Sequence, residues 1–208
     1  MRPEDGPGLP PGSRDLDTKL VAALERIGQA LRVELRAQAT SEGLTLTQAQ
    51  ILLRLVSERA ARRRVGALAA ALDVRQPTIS DAVAALERKG LLERRPHAGD
   101  ARAATLALTA RGRVVGDRLG GWDERARVQL RRLPEQARQA SLTLLLDLIA
   151  GLQRAGVVGV ARTCPTCRFF AFEARLGAAK PHRCALLDMP LGPGELRLDC
   201  PEHEQSAA

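Results

Sequence analysis

The fold of this chain is decided by residues 65–113, which read VGALAAALDVRQPTISDAVAALERKGLLERRPHAGDARAATLALTARGR. Val65–Leu72 has the apolar spacing of a short helix, and Asp73–Gln76 is a polar turn. A second helix is predicted from about Pro77 to Lys89, because proline suits a first helical position. Its apolar residues recur at helical spacing and mark one buried face: Ile79, Val83 and Leu86.

A two-stranded ribbon is predicted after this helix pair. Gly90 ends the second helix at a position that favours the left-handed conformation. Leu91–Arg95 has the composition of a strand, Pro96–Asp100 that of a turn, and Arg102–Thr109 that of an alternating return strand. A helix–turn–helix followed by a hairpin is a winged helix, whose second helix can lie in the major groove of DNA.

The segment that begins at Gln76 resembles the recognition helix and wing of the MarR family of bacterial transcriptional regulators. The matching positions are Gln76-Pro77-Thr78, Leu86-Glu87, Lys89-Gly90-Leu91, Asp100, Arg102 and Leu108-Thr109. By pattern and helix order, the resemblance extends over residues 16–155. It implies an obligate homodimer that binds pseudo-palindromic, double-stranded operator DNA. Members of the family often also bind a small molecule, so an unknown effector is a further candidate partner.

The candidate DNA contacts lie on the recognition helix and the wing. On the helix they are Arg75, Gln76, Thr78, Ser80 and Asp81, and on the wing they are Arg94, Arg95, His97 and Arg102. The family resemblance implies that Arg102 enters the minor groove and that Asp100 pairs with it and positions the wing. The alternative is a winged helix that serves as a protein-interaction adaptor, although the charge balance argues against it.

Charge is distributed unevenly along the chain. The net charge is +8, with 27 basic and 18 acidic residues in residues 1–163 and 5 basic and 6 acidic residues in residues 164–208. The basic excess, which favours a polyanionic partner, therefore belongs to the predicted DNA-binding part. No apolar run is long enough for a membrane span, and the N-terminus has no signal-peptide pattern. We therefore expect a cytoplasmic protein with reduced cysteines.

Three regions are predicted: a disordered N-terminus (1–14), a winged-helix and dimerisation domain (15–155, with its DNA-binding core at 65–113) and a Cys-rich module (160–208). The expected fold is mainly α with a small β-hairpin wing. The sequence lacks a cofactor motif, a glycine-rich phosphate loop and an acid–base set, so we do not expect an enzyme.

Four further helices are predicted around the core. The first is capped by Asp15 or Asp17 and reaches about Ala39, and the second is Gln48–Glu58, capped by Thr47. A helix from Gly112 to about Arg132 is expected to kink at Gly120-Gly121. The last helix, Glu135 to about Arg154, is apolar on more than one face, which favours burial against a partner subunit. The basic run at 59–64 is interpreted as either a solvated loop or a phosphate contact.

All four cysteines lie in the last 45 residues, in the pattern C-x2-C-x16-C-x15-C: Cys164, Cys167, Cys184 and Cys200. So small a module has too little core to fold unaided, which makes a metal ion an attractive staple. Structural zinc bound by four thiolates is preferred, and an iron–sulfur cluster is the second hypothesis.

The third hypothesis is a redox-active thiol protein that uses Cys164 and Cys167. His182 and His203 are spare candidate ligands, each expected to be a surface histidine. The module has no basic patch, so it is predicted to sense a signal or to stabilise the dimer rather than to read DNA.

Overall fold

The computed structural model describes residues 15–57, 63–97, 100–175 and 177–206; the side chains of residues 97 and 100–103 lie outside this description. The predicted disorder of residues 1–14 and the basic residues at 59–62 also lie outside it. The described residues form a mainly helical domain with one β-hairpin, followed by a small three-stranded tail. The fold class predicted from the sequence is therefore confirmed.

Side-chain caps begin the first two helices. Helix α1 (Leu16–Ser41) begins after Asp15, whose carboxylate accepts hydrogen bonds from the backbone N–H groups of Asp17 and Thr18. Helix α2 (Leu46–Ser57) begins after Thr45, whose hydroxyl accepts from Gln48 N at 3.3 Å while the Gln48 amide oxygen accepts from Thr45 N at 3.2 Å. The prediction that Thr47 caps this helix was wrong, because the reciprocal pair begins the helix two residues earlier.

The two central helices occur as predicted, with small differences at their ends. Helix α3 is Val65–Leu72, and Asp73 follows it in the left-handed conformation at φ 51°. Helix α4 is Gln76–Arg88, so Gln76 is its first residue rather than part of the turn. Gly90 has φ 68°, which confirms the predicted left-handed end of this helix.

The wing is an antiparallel pair of strands, β1 (Leu92–His97) and β2 (Asp100–Leu108). The predicted turn at 96–100 was too long, because Pro96 pairs with Ala104 and the ladder continues, with a register shift, to His97. The carbonyl of Arg63 accepts a hydrogen bond from Leu106 N at 2.6 Å. The end of the basic run is therefore held beside the wing.

Two helices replace the single kinked helix predicted after the wing. Helix α5 is Ala110–Leu119, helix α6 is Glu124–Arg131, and Gly120 occupies the C-cap of α5. Adjacent glycines here end a helix, because they offer little resistance to a change of backbone direction. Helix α7 is Glu135–Arg154, with the bounds predicted from the sequence.

The main core is formed around α2. Its apolar face packs with residues of α3, α4, α5 and the wing, and the side chains with essentially no exposure are Ile51, Leu52, Leu55, Leu68, Ile79, Val83, Leu86, Leu106 and Leu119. Burial of the α4 stripe leaves the opposite face of that helix toward solvent. The core therefore determines which face of α4 can meet a ligand.

The tail has its own small sheet and a second core. Strands β3 (Phe170–Ala171), β4 (His182–Cys184) and β5 (Met189–Leu191) pair in antiparallel order. The second core contains Leu146 of α7 together with three residues of the tail: Cys164, Leu191 and Leu196. The tail thus folds against α7 rather than standing apart.

Much of the apolar surface of α1 and α7 is uncovered in a single chain. The exposed apolar side chains are Leu16, Leu20, Val21, Ile27 and Val33 on α1 and Leu144, Leu145 and Leu148 on α7. In α7, only Leu146 and Ala150 are buried within the chain. Across the described residues, no helix combines the length and the apolarity that a membrane span needs.

Gly112 provides a test of the packing between α5 and the end of α4. A Cβ atom at this position would overlap the backbone carbonyl oxygen of Leu91 and lie 2.9 Å from its carbon. We expect Gly112→Ala to lower the free energy of unfolding by about 1–3 kcal/mol, because backbone cannot yield as a flexible side chain can. Gly121→Ala is the matched control, since its Cβ would meet nothing within 4 Å. Chemical denaturation measures both, and equal stabilities would contradict this packing.

Candidate nucleic-acid interface and four-thiol centre

The solvent-facing side of α4 presents the polar residues that the sequence predicted. Arg75, Gln76, Thr78 and Asp81 are exposed and Ser80 is partly exposed. Within the described residues, none of these side chains makes a hydrogen bond or an ion pair. Arg75, Gln76 and Thr78 lie at the N-terminal end of the helix, the end that contacts base edges in helix–turn–helix proteins.

The two described wing arginines are each paired with a glutamate. Arg94 Nε lies 3.1 Å from a carboxylate oxygen of Glu87, and Arg95 Nε lies 2.8 Å from one of Glu93. Exposed pairs of this kind contribute at most about 1 kcal/mol, so a DNA phosphate can compete with the glutamate. The pairs therefore hold both arginines in place without withdrawing them from a ligand.

The other wing candidates are only partly described. The backbone of His97 belongs to β1 and that of Asp100 and Arg102 to β2, which places all three at the distal end of the hairpin. Their side chains lie outside the described residues. The Asp100–Arg102 pair and its minor-groove role therefore stay predictions.

Lys89 is a positioning residue that the sequence did not reveal. Its ammonium group donates to the carbonyl of Gly43 at 2.6 Å and to the side-chain oxygen of Gln48 at 3.0 Å. These bonds tie the C-terminal end of α4 to the connection between α1 and α2. No local signal indicates them, because both partners lie more than forty residues earlier in the chain.

The four cysteines come together at one small cavity, here called the four-thiol centre: Cys164, Cys167, Cys184 and Cys200. The remaining lining is largely apolar, and the cavity measures about 20 Å³. Cys164 begins a 3-10 turn and Cys184 ends β4. Cys200 lies at the end of residues 197–200, which are hydrogen-bonded to residues 162–164. The fold of the tail thus brings together cysteines that are far apart in the sequence.

N–H groups of Arg197 point at two of the thiols. The backbone N–H donates to Cys164 Sγ at 3.2 Å, and the guanidinium donates to Cys200 Sγ at 3.7 Å. Donors of this kind stabilise thiolates and are typical of the surroundings of metal-bound cysteine. This role of Arg197 was not predictable from the sequence, because an arginine near a cysteine has many other uses.

The environment of Cys164 is unsuited to a reactive thiolate. Burial raises the pKa of this thiol, the hydrogen bond from Arg197 opposes that change, and the other three cysteines raise it further. A redox-active or nucleophilic cysteine usually has a lowered pKa and good exposure. Cys164 is buried, so a redox pair formed by Cys164 and Cys167 is disfavoured.

The donor set and the surroundings fit a thiophilic metal ion, although the thiols are not arranged as a finished site. In the part of the chain that the structure describes, no group of three or more Cys, His, Asp or Glu side chains could hold a metal ion as positioned. Four converging thiols, a dry lining and N–H···S donors are nevertheless the chemistry that such an ion requires. Binding would therefore draw the thiols closer together.

The two histidines have structural partners. His182 is buried, contrary to the expected surface position, and its ring lies 5.4 Å from that of Phe170 and 5.1 Å from that of Phe172. Its Nδ1 accepts a hydrogen bond from Glu173 N at 3.2 Å. His203 Nε2 lies 2.9 Å from the hydroxyl of Thr166. Both rings thus support the tail's framework.

The described elements form a winged helix in which α4 has an exposed polar face. Residues 42–103 match the model of the MarR family. This match lies within the part of the chain for which the sequence predicted a resemblance to the MarR family. No curated protein matches the chain.

Three solved structures share the fold of this part of the chain. The transcriptional regulator PA3341 is 26% identical, with a TM-score of 0.58 over 65% of this chain and 98% of its own. A MepR–DNA complex of S. aureus is 22% identical, with a TM-score of 0.56 over 64% of this chain and 97% of its own. CouR from Rhodococcus jostii RHA1, bound to p-coumaroyl-CoA, is 22% identical, with a TM-score of 0.54 over 65% of this chain and 94% of its own.

PA3341 is described as a transcriptional regulator, and the MepR structure is a complex with DNA. Each alignment covers nearly the whole neighbour but only about two thirds of this chain. About one third of the chain therefore has no counterpart in those structures.

Thr166 tests whether the framework of the tail protects the four-thiol centre. Its buried hydroxyl donates toward the carbonyls of Ala161 and Thr163 and also contacts His203. We expect Thr166→Val to cost about 1–3 kcal/mol of local stability, because buried acceptors lose their donor. Alkylation of Cys167 should then be faster than in the wild type, whereas Thr166→Ser, which keeps the hydroxyl, should react at the wild-type rate. Equal rates for all three proteins would contradict this role.

Proposed function

We propose that this chain is a sequence-specific, DNA-binding transcriptional regulator that acts as a homodimer on the chromosome and has a metal-binding tail. The observation that carries the proposal is the exposed, unengaged polar face of α4, held outward by a core of the MarR type. A helix so supported can enter the major groove, where the side chains of Gln76 and Thr78 can read base edges.

The wing and the charge distribution support the same partner. Arg94 and Arg95 stand on the hairpin beside α4 in exchangeable ion pairs. The net charge of +9 in residues 1–163 favours duplex DNA, since phosphate contacts supply most of the sequence-independent affinity. The MepR neighbour is itself in complex with DNA, which shows that a related fold can bind this partner.

The homodimer is supported by the uncovered apolar surface of α1 and α7. Two long helices, from opposite ends of the winged-helix domain, each expose a series of leucine, isoleucine or valine side chains. Apolar surface of this extent favours association with another protein surface. A second copy of the chain is the partner proposed here, because the family resemblance implies an obligate dimer.

The tail is proposed to hold one zinc ion through Cys164, Cys167, Cys184 and Cys200. A single zinc ion is preferred, because the Cys164-x2-Cys167 spacing is typical of one half of a structural zinc site. When bound, zinc would supply a cross-link between distant parts of a segment that has little core of its own. An iron–sulfur cluster remains the second candidate cofactor, since it uses the same four thiolates.

A small-molecule effector is a further proposed partner. A cavity of about 560 Å³ lies between α1, α2, Trp122 and the tail, and its wall combines apolar side chains with Arg32 and with the Asp199 carboxylate, which is paired with Arg54 and Arg162. This lining suits a small organic molecule, because apolar walls with a few charged groups are typical of ligand pockets. The neighbour CouR was solved with an acyl-CoA bound.

The experiment that tests DNA binding compares Arg75→Ala with Arg183→Ala. Both substitutions remove one positive charge, but Arg183 lies in the tail, paired with Asp188. Arg75→Ala should weaken binding to a duplex selected from a random-sequence pool, and should reduce the slope of log K against log salt by about one per subunit. Arg183→Ala should behave like the wild type.

Fluorescence anisotropy at several salt concentrations measures both quantities. Unchanged affinity for Arg75→Ala would remove the N-terminal end of α4 from the interface. If the wild type selects no duplex even at low salt, the protein-interaction adaptor replaces the regulator as the proposed function.

A further inference from the structure

Asp199, the residue before Cys200, joins the tail to the DNA-binding half of the chain. One of its carboxylate oxygens is ion-paired with the guanidinium of Arg54 on α2. The other accepts a hydrogen bond from Arg162 Nε at 2.7 Å. A single carboxylate therefore holds together α2 and two stretches of the tail, one leading to Cys164 and the other to Cys200.

The position of Asp199 is tied to two of the thiols by the backbone. Cys164 N donates to the carbonyl of Arg197 at 3.0 Å, and Cys200 N donates to that of Arg162 at 2.9 Å. Residues 162–164 and 197–200 thus run side by side, with Asp199 between the two bonded positions. A movement of Cys164 relative to Cys200 would displace this carboxylate as well.

A displacement of Asp199 would act on helix α2, which carries Arg54. The face that includes Ile51, Leu52 and Leu55 is fully buried in the core that also holds the apolar stripe of α4. Closely packed interiors transmit shifts rather than absorb them. A change in the position of Arg54 can therefore reach the recognition helix through α2.

We propose that the Asp199–Arg54 ion pair couples metal occupancy of the four-thiol centre to the DNA affinity of the winged helix. The coupling rests on the metal site and the DNA binding proposed above. When the four thiols are drawn together, Asp199 holds α2 in the position that supports α4. When the centre opens, the contact between the tail and α2 loosens, and the DNA-competent arrangement becomes less populated.

The exposure of the pair is consistent with a positional role rather than a stabilising one. The side chains of Arg54 and Asp199 are 29% and 41% exposed, respectively. Ion pairs this accessible to solvent contribute little to overall stability. Replacing Asp199 should therefore leave the fold and the metal content intact while removing the connection, which separates coupling from simple unfolding.

Trp122 offers a readout that does not depend on DNA binding. It is the only tryptophan of the chain, and it lines the same cavity as Arg54, Arg162 and Asp199. Its fluorescence should therefore respond when the tail moves relative to α2. A shift of its emission on metal removal reports the first half of the proposed pathway.

The experiment compares wild type with Asp199→Asn, each loaded with Zn²⁺ and then stripped by a chelator. Metal content, Trp122 emission and affinity for the selected duplex are measured in both states. In the wild type, we expect stripping to weaken DNA binding by at least about 5-fold, within the usual range of allosteric coupling, and to shift the emission. In Asp199→Asn we expect normal zinc content, with both responses reduced toward zero.

The matched control is Asp188→Asn, which removes a carboxylate from another ion pair of the tail, that with Arg183, without touching α2. It should respond to stripping like the wild type.

The outcomes separate this inference from the proposed function. The decisive quantity is the ratio of DNA affinities in the zinc-loaded and stripped states. If Asp199→Asn keeps the wild-type ratio, or if the wild type binds zinc and DNA but has a ratio of one, the coupling is overturned and the zinc-bearing regulator stands. If the wild type holds no metal, the proposed metal site fails and the coupling fails with it.

Discussion

The apolar contact between α2 and α4 is the constraint on which the rest of the molecule depends. Ile79, Val83 and Leu86 are fully buried against the core that surrounds α2. This burial fixes the rotation of α4 about its axis, so that its polar residues face outward. Lys89 adds a fixed point at the other end of the helix. The candidate DNA surface is thus a consequence of how the core packs.

The tail presents a different physical problem, because it has too few apolar residues to form an independent core. It packs against Leu146 of α7, and Leu191 and Leu196 of the tail are buried in the same cluster as Cys164. Hydrogen bonds from Arg197 and Thr166 then hold the backbone near the thiols. A bound metal ion would stabilise the tail further, because it would cross-link segments that hydrophobic burial alone does not hold together. The same packing places the tail beside α7, which exposes apolar side chains, and beside α2, which packs against α4.

The parts of the fold that were predictable are those with local signals. Helical spacing gave the bounds of α3 and α7, and Gly90 marked the end of α4, because these depend on residues close in sequence. The cap of α2 was missed although its signal was present: Thr45 and Gln48 stand in the spacing of a capping box. The burial of His182 between two phenylalanines had no such signal, since the strands that create it are very short.

Some features of the candidate site were also predictable from the sequence, and others were not. The residue types on α4 indicated the candidate DNA interface, and the clustering of cysteines indicated the four-thiol centre. The Asp199–Arg54 contact was out of reach, because it joins residues 145 positions apart that carry no motif. Charged residues on a surface have many potential partners, and only the folded chain selects among them.

A metal ion is proposed to organise the tail through its four cysteines. Metal and acid-labile sulfide analysis, with a visible spectrum, on protein purified without oxygen measures whether it does. We expect one zinc ion per chain, no sulfide and no visible colour. Iron with sulfide would make the centre an iron–sulfur cluster. Four freely alkylated thiols with no bound metal would contradict the claim.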